Sequence, residues 1–323
     1  MRKMLEKIKA VNKKLTALKK EKLKGKGLIL FVVAYFILVG SFMLVHNMWL
    51  SPDQFIIVGF LLTLIVAQPI LFLKDWVPFV FLFLSYEFLR GLAPFLGIKA
   101  HFLPMIDADR FLFGHLPTVS LQNHLYTPGN LHFYDYIATI IYMMHFILPL
   151  VFGFFLWLYK RKEFQKFVIT LLALSYLGFL TFMLFPAAPP WMASNQGMIP
   201  KIYNVFGDTF STFVHGTHLP SVYQLFDPNP VAAMPSLHAA YPFLVYLFIV
   251  KIFGKYGHLF LIYVATVCFA VIYTGNHYVI DVIFGFIYAY VAFRGIDWLW
   301  PKFENRKDGQ LKKEATAASK IVT

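Results

Sequence analysis

Apolar runs of about 20 residues recur along most of the chain, and they constrain the fold more than any other feature. A helix of that length crosses the hydrocarbon core of a bilayer while satisfying its own backbone amides. Because 59% of the residues are hydrophobic and only 14% are charged, a soluble globular fold is excluded. The sequence predicts an all-α polytopic membrane bundle of about eight transmembrane helices. The predicted spans are residues 28–48, 54–73, 76–96, 132–159, 165–185, 237–253, 257–274 and 278–298.

The placement of charge predicts how these spans are oriented. The formal net charge is +13, and most of the 29 Lys and Arg residues fall on one side of the predicted bundle. They lie in residues 1–27, at Lys74, in the turn 160–166, at Lys251 and Lys255, and from Arg294 onward. Basic residues favour the cytoplasmic side of a membrane, so we expect a multi-pass cell-membrane protein with both termini in the cytoplasm. Nucleic acid is not expected as a partner.

The chain divides into three parts. Residues 1–27 are basic and carry an apolar stripe at helical spacing, which predicts a cytoplasmic amphipathic helix on anionic lipid headgroups. A partly disordered charged tail is the alternative. Residues 28–302 are predicted to form the transmembrane domain, which would hold any catalytic residues, and residues 303–323 form a polar cytoplasmic tail that we expect to be disordered. The single cysteine, Cys268, is expected to be a buried thiol.

Two long connections, residues 97–131 and 186–236, are predicted to lie outside. They are too apolar for free linkers, and long ordered loops often carry function. The second contains apolar residues at near-helical spacing, which predicts an interfacial helix lying over the histidine motifs described next. These residues are Ile202, Val205, Phe206, Phe210 and Phe213.

Two histidine motifs lie at the ends of apolar runs, on the predicted outer side of the membrane. One is Met234-Pro-Ser-Leu-His238, and the other is Tyr273-Thr-Gly-Asn-His-Tyr-Val-Ile-Asp281. His277 and Asp281 are one helical turn apart, so the carboxylate can hold one ring nitrogen and leave the other free to attack. Pro suits the first turn of a helix, and helix N-termini attract phosphate. The motifs therefore indicate phosphoryl transfer.

Other interpretations of the same residues remain open. His238, His277 and Asp281 could form a metal site of two histidines and one carboxylate, although Ser236 and two helix starts suit an anion better. A lipid transporter or scramblase could use the same polar cluster as a binding site. A scaffold that recruits partners through its N-terminal helix would leave the histidine motifs unexplained.

The two motifs resemble those of the type-2 phosphatidic acid phosphatase superfamily. Pro235-Ser236-Leu237-His238 is similar to its second motif, and His277-x-x-x-Asp281 to its third. Leu237, where the phosphatases usually have glycine, and the Phe185-Pro-x-x-Pro-Pro loop resemble the branch of inositol phosphorylceramide synthases and sphingomyelin-synthase-like transferases. The resemblance covers residues from about 85 to 298 and implies a six-helix phosphatase-like core.

The resemblance also implies roles for individual residues. His277 would be the nucleophile that forms a phosphohistidine, and Asp281 would orient it. His238 would protonate the leaving oxygen and then act as the base for the acceptor, while Ser236 would donate a hydrogen bond to a phosphate oxygen. The implied activity moves a phosphoryl group or phospho-headgroup from a phospholipid or lipid-phosphate donor to an alcohol. Transfer to water, as in a lipid-phosphate phosphatase, is the alternative, and neither cofactor nor metal is implied.

The chain departs from the phosphatase pattern where phosphate-binding arginines would stand. Ala270 and Val271 occupy the place of the third motif's Ser-Arg, and the first motif is absent in regular form. A phosphoryl group still needs cations at its oxygens. The outer-side candidates are Arg90, Lys99, Arg110 and Lys201, of which Arg90 is preferred because a guanidinium binds oxygens bidentately. Pairing with Glu87 or snorkelling is the alternative explanation of Arg90.

Three further residues are possible supports of the site. His145 lies near the midpoint of its span, where it could be a polar partner of the site or a helix–helix hydrogen bond. Tyr273 and Asn276 flank His277 within the same motif.

Overall fold

The computed structural model describes residues 69–92, 97–213 and 229–321, with side chains as far as residue 303. The predicted N-terminal amphipathic helix, the span 28–48 and most of the span 54–73 lie outside these residues. The described part of the chain is helical, and its only β pairs are isolated bridges between loops. The helices are α1 (Pro69–Leu92), α2 (Leu103–Phe113), α3 (Pro117–Leu125), α4 (Phe133–Tyr159), α5 (Arg161–Leu184), α6 (Pro190–Asn195), α7 (Val205–Phe213), α8 (Leu237–Phe253), α9 (Leu261–Tyr273) and α10 (Val279–Ile321).

Four helical segments of the described residues are long and apolar enough to cross a bilayer. They are Phe133–Tyr159, Arg161–Leu184, Leu237–Tyr273 and Val279–Phe303. The third contains α8 and α9, which are joined by a short 3₁₀ helix, Gly254–Phe260. The expected all-α, multi-pass membrane bundle is therefore confirmed.

Helices α4 and α5 form a tight antiparallel hairpin. In the first turn of α4, the Asp135 carboxylate accepts a hydrogen bond from the backbone N–H of His132 at 2.7 Å. This bond caps the N-terminus of α4. Lys160 alone separates α4 from α5, so the span predicted from residue 165 begins at Arg161. A connection this short places the two helices side by side.

Aromatic rings fill the space between α1, α4, α5 and α8. The ring of Trp76 lies 5.2 Å from that of Phe164, and Phe167 meets Phe248 edge to face, also at 5.2 Å. Aromatic pairs at these distances contribute more than their buried area alone. Helix α8 packs against α4, α5, α9 and α10, so its first turn is held from several sides.

Helix α1 is continuous through the break predicted between residues 73 and 76. Asp75 remains inside the helix because its carboxylate accepts hydrogen bonds from Trp157 Nε1 and Arg161 Nη2, both at 2.8 Å. A carboxylate with two hydrogen-bond donors is satisfied inside the bundle, so the chain does not need a loop here to expose it to water. The third predicted span therefore begins earlier than the hydropathy pattern suggests.

The C-terminal segment is also helical, contrary to the expected disorder. Helix α10 has 43 residues and runs to Ile321. The stretch after Gly309 is rich in Lys and Ala, which are strong helix formers. Intrinsic propensity and continuity with the preceding span account for the difference.

Candidate active site

The two motif histidines meet at one end of the bundle. Nε2 of His277 lies 2.9 Å from Nδ1 of His238, although 39 positions separate the two residues in sequence. His238 is in the first turn of α8, and His277 lies in the loop between α9 and α10. The structure therefore brings the second and third motifs into direct contact.

Asp281 faces the other nitrogen of His277. Its Oδ2 lies 3.5 Å from Nδ1 of His277, which is long for a hydrogen bond, as catalytic contacts often are before substrate binds. A carboxylate only accepts, so this contact favours the proton on Nδ1 and leaves the lone pair on Nε2. The expectation of two residues on one helix needs correction, because His277 precedes the first residue of α10 while Asp281 lies in the first turn.

The start of α10 is occupied by carboxylates of the protein. Oδ2 of Asp281 accepts from the backbone N–H of Tyr278 at 2.8 Å. The buried Asp109 of α2 accepts from the N–H groups of Val279 and Ile280 at 3.0 and 2.9 Å. Carboxylates are favourable at this end of a helix. The sequence predicts that both helix starts attract phosphate, but at α10 the first three amides already have acceptors.

Ser236 is the N-cap of α8, and Pro235 precedes the helix instead of lying in its first turn. The hydroxyl of Ser236 accepts from the N–H of Ala239 at 3.4 Å, while its own backbone N–H donates to the carbonyl of Asp281 at 2.9 Å. The accepting hydroxyl still has a proton to donate. The backbone bond ties the two motifs together independently of their side chains.

A glycine permits this close approach of α8 and α10. A Cβ atom at Gly285 would lie 2.4 Å from the carbonyl oxygen of Ser236. Real Cβ atoms do not approach other atoms so closely, so any side chain here would push the two helices apart. Gly285 therefore sets the distance between the motifs.

His145 lies against His238. Their ring centroids are 4.0 Å apart, and Nδ1 of His145 donates to the backbone carbonyl of Tyr142. The ring of Tyr142 also contacts His238 at 4.4 Å and Phe206 of α7 at 4.7 Å. The helix expected in the second long connection is present as α7, and this aromatic contact joins it to the histidines.

Arg90 is near the histidines but is paired with its own helix. Its Nη2 and Nε donate to Oε2 of the buried Glu87 at 2.8 and 3.1 Å. The guanidinium lies within electrostatic range of His238, His145 and Tyr142. Both explanations given for Arg90 are therefore compatible, since the pair with Glu87 stands beside the histidines.

The two candidate lysines are farther from this centre. Lys99 and Lys201 are exposed, and Lys201 lies over the ring of Tyr203 at 5.4 Å. Within the described residues, no hydrogen bond, ion pair or ring contact joins either lysine to the histidines. The structure does not bring them to the site as it brings Arg90.

The two supporting residues next to His277 hold the loop in place. The hydroxyl of Tyr273 donates to the carboxylate of Asp135 at the start of α4. The side-chain amide of Asn276 donates to the hydroxyl of Thr274 at 3.1 Å. Both contacts fix the loop geometry.

Residues of the first long connection complete the site, and sequence reasoning missed them. Asp109 is fully buried, and Thr118 and Gln122 of α3 also contact the loop that carries His277. Burial raises the pKa of the Asp109 carboxyl above its ordinary value, although the hydrogen bonds from its two backbone amide donors lower the pKa. One signal could have revealed Asp109: it lies one turn after Met105 and Ile106, on the same buried face of α2.

The arrangement does not resemble a metal centre. His238 and Asp281 approach opposite nitrogens of the His277 ring instead of converging on one point. Within the part of the chain that the structure describes, no three His, Cys, Asp or Glu side chains form a group that could hold a metal ion.

Comparison with known proteins agrees with this geometry. Residues 105–295 match the family model of the PAP2 superfamily. The phosphoinositol dihydroceramide synthase of Bacteroides thetaiotaomicron is 32% identical over 222 residues, which cover 64% of this chain and 71% of that protein.

More distant relatives occur in yeasts. The catalytic subunit of inositol phosphorylceramide synthase from Schizosaccharomyces pombe is 30% identical over 49% of this chain and 39% of its own length. The inositol phosphorylceramide synthase of Candida albicans is 25% identical over 49% of this chain and 35% of its own. No solved structure matches the chain. From the family match and the paired histidine motifs together, the chain belongs to the PAP2 superfamily, in its branch similar to inositol phosphorylceramide synthases, and is a multi-pass membrane enzyme that acts on lipid phosphate esters.

Proposed function

We propose that the protein transfers a phospho-headgroup from a lipid donor to a lipid alcohol through a phosphohistidine at His277. The observation that carries this proposal is the contact of 2.9 Å between Nε2 of His277 and Nδ1 of His238, with Asp281 on the far side of the His277 ring. The name of the bacterial relative suggests phosphoinositol as the group and dihydroceramide as the acceptor. Phosphatidylinositol is the corresponding lipid donor.

The reaction divides into two displacements. In the first, Nε2 of His277 forms a bond to phosphorus while the bond from phosphorus to the diacylglycerol oxygen breaks, and His238 gives that oxygen a proton. In the second, His238 takes the proton of the acceptor hydroxyl, whose oxygen attacks phosphorus and releases His277. Histidine suits both duties because its ordinary pKa is about 6.5. A covalent intermediate replaces one hard step by two easier ones.

Charge on the transferred phosphoryl oxygens needs donors and a cation. Ser236 supplies a hydroxyl at the start of α8, and Arg90 supplies a positive charge within electrostatic range of His238. Lys99, Arg110 and Lys201 are the remaining basic residues considered for phosphate binding, and all three are exposed. The guanidinium is favoured because it is already fixed by Glu87.

We place the histidines on the extracytoplasmic side, with both termini in the cytoplasm. The distribution of Lys and Arg along the chain supports this orientation. Lys201→Cys in a Cys268→Ala background gives one exposed thiol, in a connection that lies at the same end of the bundle as the histidines. A membrane-impermeant maleimide should label it in intact cells. Labelling only after lysis would reverse the orientation.

The transfer itself is tested with purified protein in detergent, phosphatidylinositol labelled in its phosphate, and dihydroceramide. We expect label in a phosphoinositol dihydroceramide product. Without acceptor, we expect an acid-labile label on the protein that is absent from His277→Asn. Release of inositol phosphate to water at the same rate with or without dihydroceramide would identify a hydrolase of the lipid phosphodiester instead of a transferase. Lack of protein-bound label together with an active His277→Asn variant would refute the phosphohistidine.

A further inference from the structure

We propose that Asp109 is a positioning residue of the transfer reaction, acting through the start of α10 to keep Asp281 engaged with His277. The proposal rests on the function proposed above for His277. It gives the first long connection, residues 97–131, a part in catalysis that its distance in sequence conceals.

The contacts of Asp109 are those of a helix cap supplied by another helix. Each of its two carboxylate oxygens accepts one backbone N–H, from Val279 at 3.0 Å and from Ile280 at 2.9 Å. The residue is fully buried, so water does not replace these bonds. Capping normally comes from a residue next in sequence. Here it comes from α2, which is thereby fixed to the first turn of α10.

The same connection holds the loop before His277. The side-chain amide of Gln122 donates to the carbonyls of Tyr273 at 2.8 Å and Tyr203 at 2.9 Å, and its oxygen accepts from the N–H of Tyr203 at 2.8 Å. The Thr118 hydroxyl donates to the carbonyl of His277 at 3.4 Å. The backbone on both sides of the nucleophile is therefore held by side chains of α2 and α3.

The two carboxylates at this helix start divide the available amides between them. Asp281 takes the N–H of Tyr278 and faces His277, while Oδ1 of Asp281 is buried without a hydrogen-bond partner. If Asp109 no longer accepted from Val279 and Ile280, Asp281 would be the nearest acidic group able to do so. An unpartnered buried oxygen gains from such a bond. Asp281 would then turn from the imidazole toward the helix backbone.

The proposal predicts a specific pattern of coupling. Asp109→Asn should lower kcat between about tenfold and a hundredfold, the loss expected when a reacting group is slightly misplaced. KM should change less than about twofold, since Asp109 touches no substrate. In an Asp281→Asn background, Asp109→Asn should cost almost nothing more, because there is then no carboxylate to hold in place. A residue that only stabilised the fold would give independent, additive losses.

The experiment measures kcat, KM and thermal stability of the full-length protein in detergent, with phosphatidylinositol and a fluorescent dihydroceramide. Asp107→Asn is the matched control, since Asp107 lies on the same helix and is exposed. Its kcat should equal that of the wild type. Asp109→Ser keeps one oxygen acceptor and serves if Asp109→Asn fails to fold. Serine should give a rate between those of the wild type and Asp281→Asn.

The outcomes separate this proposal from the one on which it rests. Wild-type kcat in folded Asp109→Asn or Asp109→Ser, or full additivity with Asp281→Asn, would overturn the positioning role. His277→Asn is measured in parallel. If it is inactive while the Asp109 variants match the wild type, only the positioning role fails. If it retains the wild-type rate, the proposed nucleophile itself is wrong.

Discussion

The two ends of the bundle hold their charged and polar groups in different ways. At the lysine end, formed by Lys166, Lys251, Asp297 and Glu163, every charge has an opposite charge beside it. Nζ of Lys251 lies 2.9 Å from Asp297 and 3.9 Å from Glu163, and Lys166 pairs with the same aspartate.

At the histidine end, formed by His238, His277, Asp281 and Asp109, both carboxylates accept from backbone amides instead of from lysine or arginine. Charge pairs fasten α5, α8 and α10 together at one end. At the other, backbone amides hold these two carboxylates beside the imidazoles. We infer that the first arrangement serves the fold and the second serves chemistry.

The largest effect should come from removing the nucleophile at the histidine end. His277→Asn should reduce kcat by at least about a thousandfold, as loss of a nucleophile does in enzymes with a comparable constellation. Its melting temperature should stay close to that of the wild type. The control is His258→Asn, an exposed histidine near the lysine end, which should retain full activity. Equal losses from both substitutions would erase the distinction between the ends.

The next effect tests the spacing of the two motifs. Gly285→Ala places a Cβ atom 2.4 Å from the carbonyl oxygen of Ser236, so α8 and α10 must separate. We expect a loss of about 1–3 kcal/mol in stability and at least a tenfold fall in kcat, measured by thermal unfolding and transfer rate. Gly295→Ala lies on the same helix with no atom within 4 Å of its Cβ. It should raise stability by up to about 1 kcal/mol, and a rate loss there as large as at Gly285 would contradict the spacing argument.

The third effect should appear in stability alone. Asp297→Asn leaves Lys166, whose side chain is 7% exposed, beside a neutral amide. A buried charge without its partner should cost about 1–3 kcal/mol, seen as a lower melting temperature, while kcat should change less than twofold. Asp107→Asn serves again as the exposed control. A large fall in kcat without loss of stability would show that the lysine end takes part in the reaction.

The smallest effects are expected at the exposed lysines. Lys99→Ala and Lys201→Ala should each change KM by no more than about threefold, because exposed charges far from the reacting atoms are screened by water and salt. Arg90→Ala, beside the histidines, should lower kcat/KM by at least tenfold. Steady-state kinetics on the three variants will rank them. A lysine variant as impaired as Arg90→Ala would move the phosphate site toward the loops.

Features encoded by neighbouring residues were predictable from the sequence. The long apolar runs indicated the membrane bundle, and the spacing of His277 and Asp281 indicated their contact. The meeting of His238 with His277 was predictable because both motifs stand at the same end of their spans. The apolar spacing after Ile202 indicated the helix α7, although its contact with Tyr142 depends on packing.

Contacts between distant parts of the chain were not predictable in the same way. Asp109 lies far from Val279 in sequence, and no local pattern shows that a carboxylate of α2 will cap α10. The continuity of α1 through Asp75 depends on hydrogen bonds from Trp157 and Arg161. These contacts cannot be inferred from the hydropathy of the segment around Asp75. The Lys166–Asp297 pair likewise joins two helices that only the fold brings together.

Helix α10 is longer than the hydrocarbon layer of the membrane is thick. It starts beside the histidines and has 43 residues, a path of about 65 Å at 1.5 Å per residue, whereas the hydrocarbon layer is about 30 Å thick. We therefore expect its distal half to emerge on the face opposite the reacting groups. Locating a single epitope after residue 303 on one face of the bilayer would at once assign the chemistry to the other.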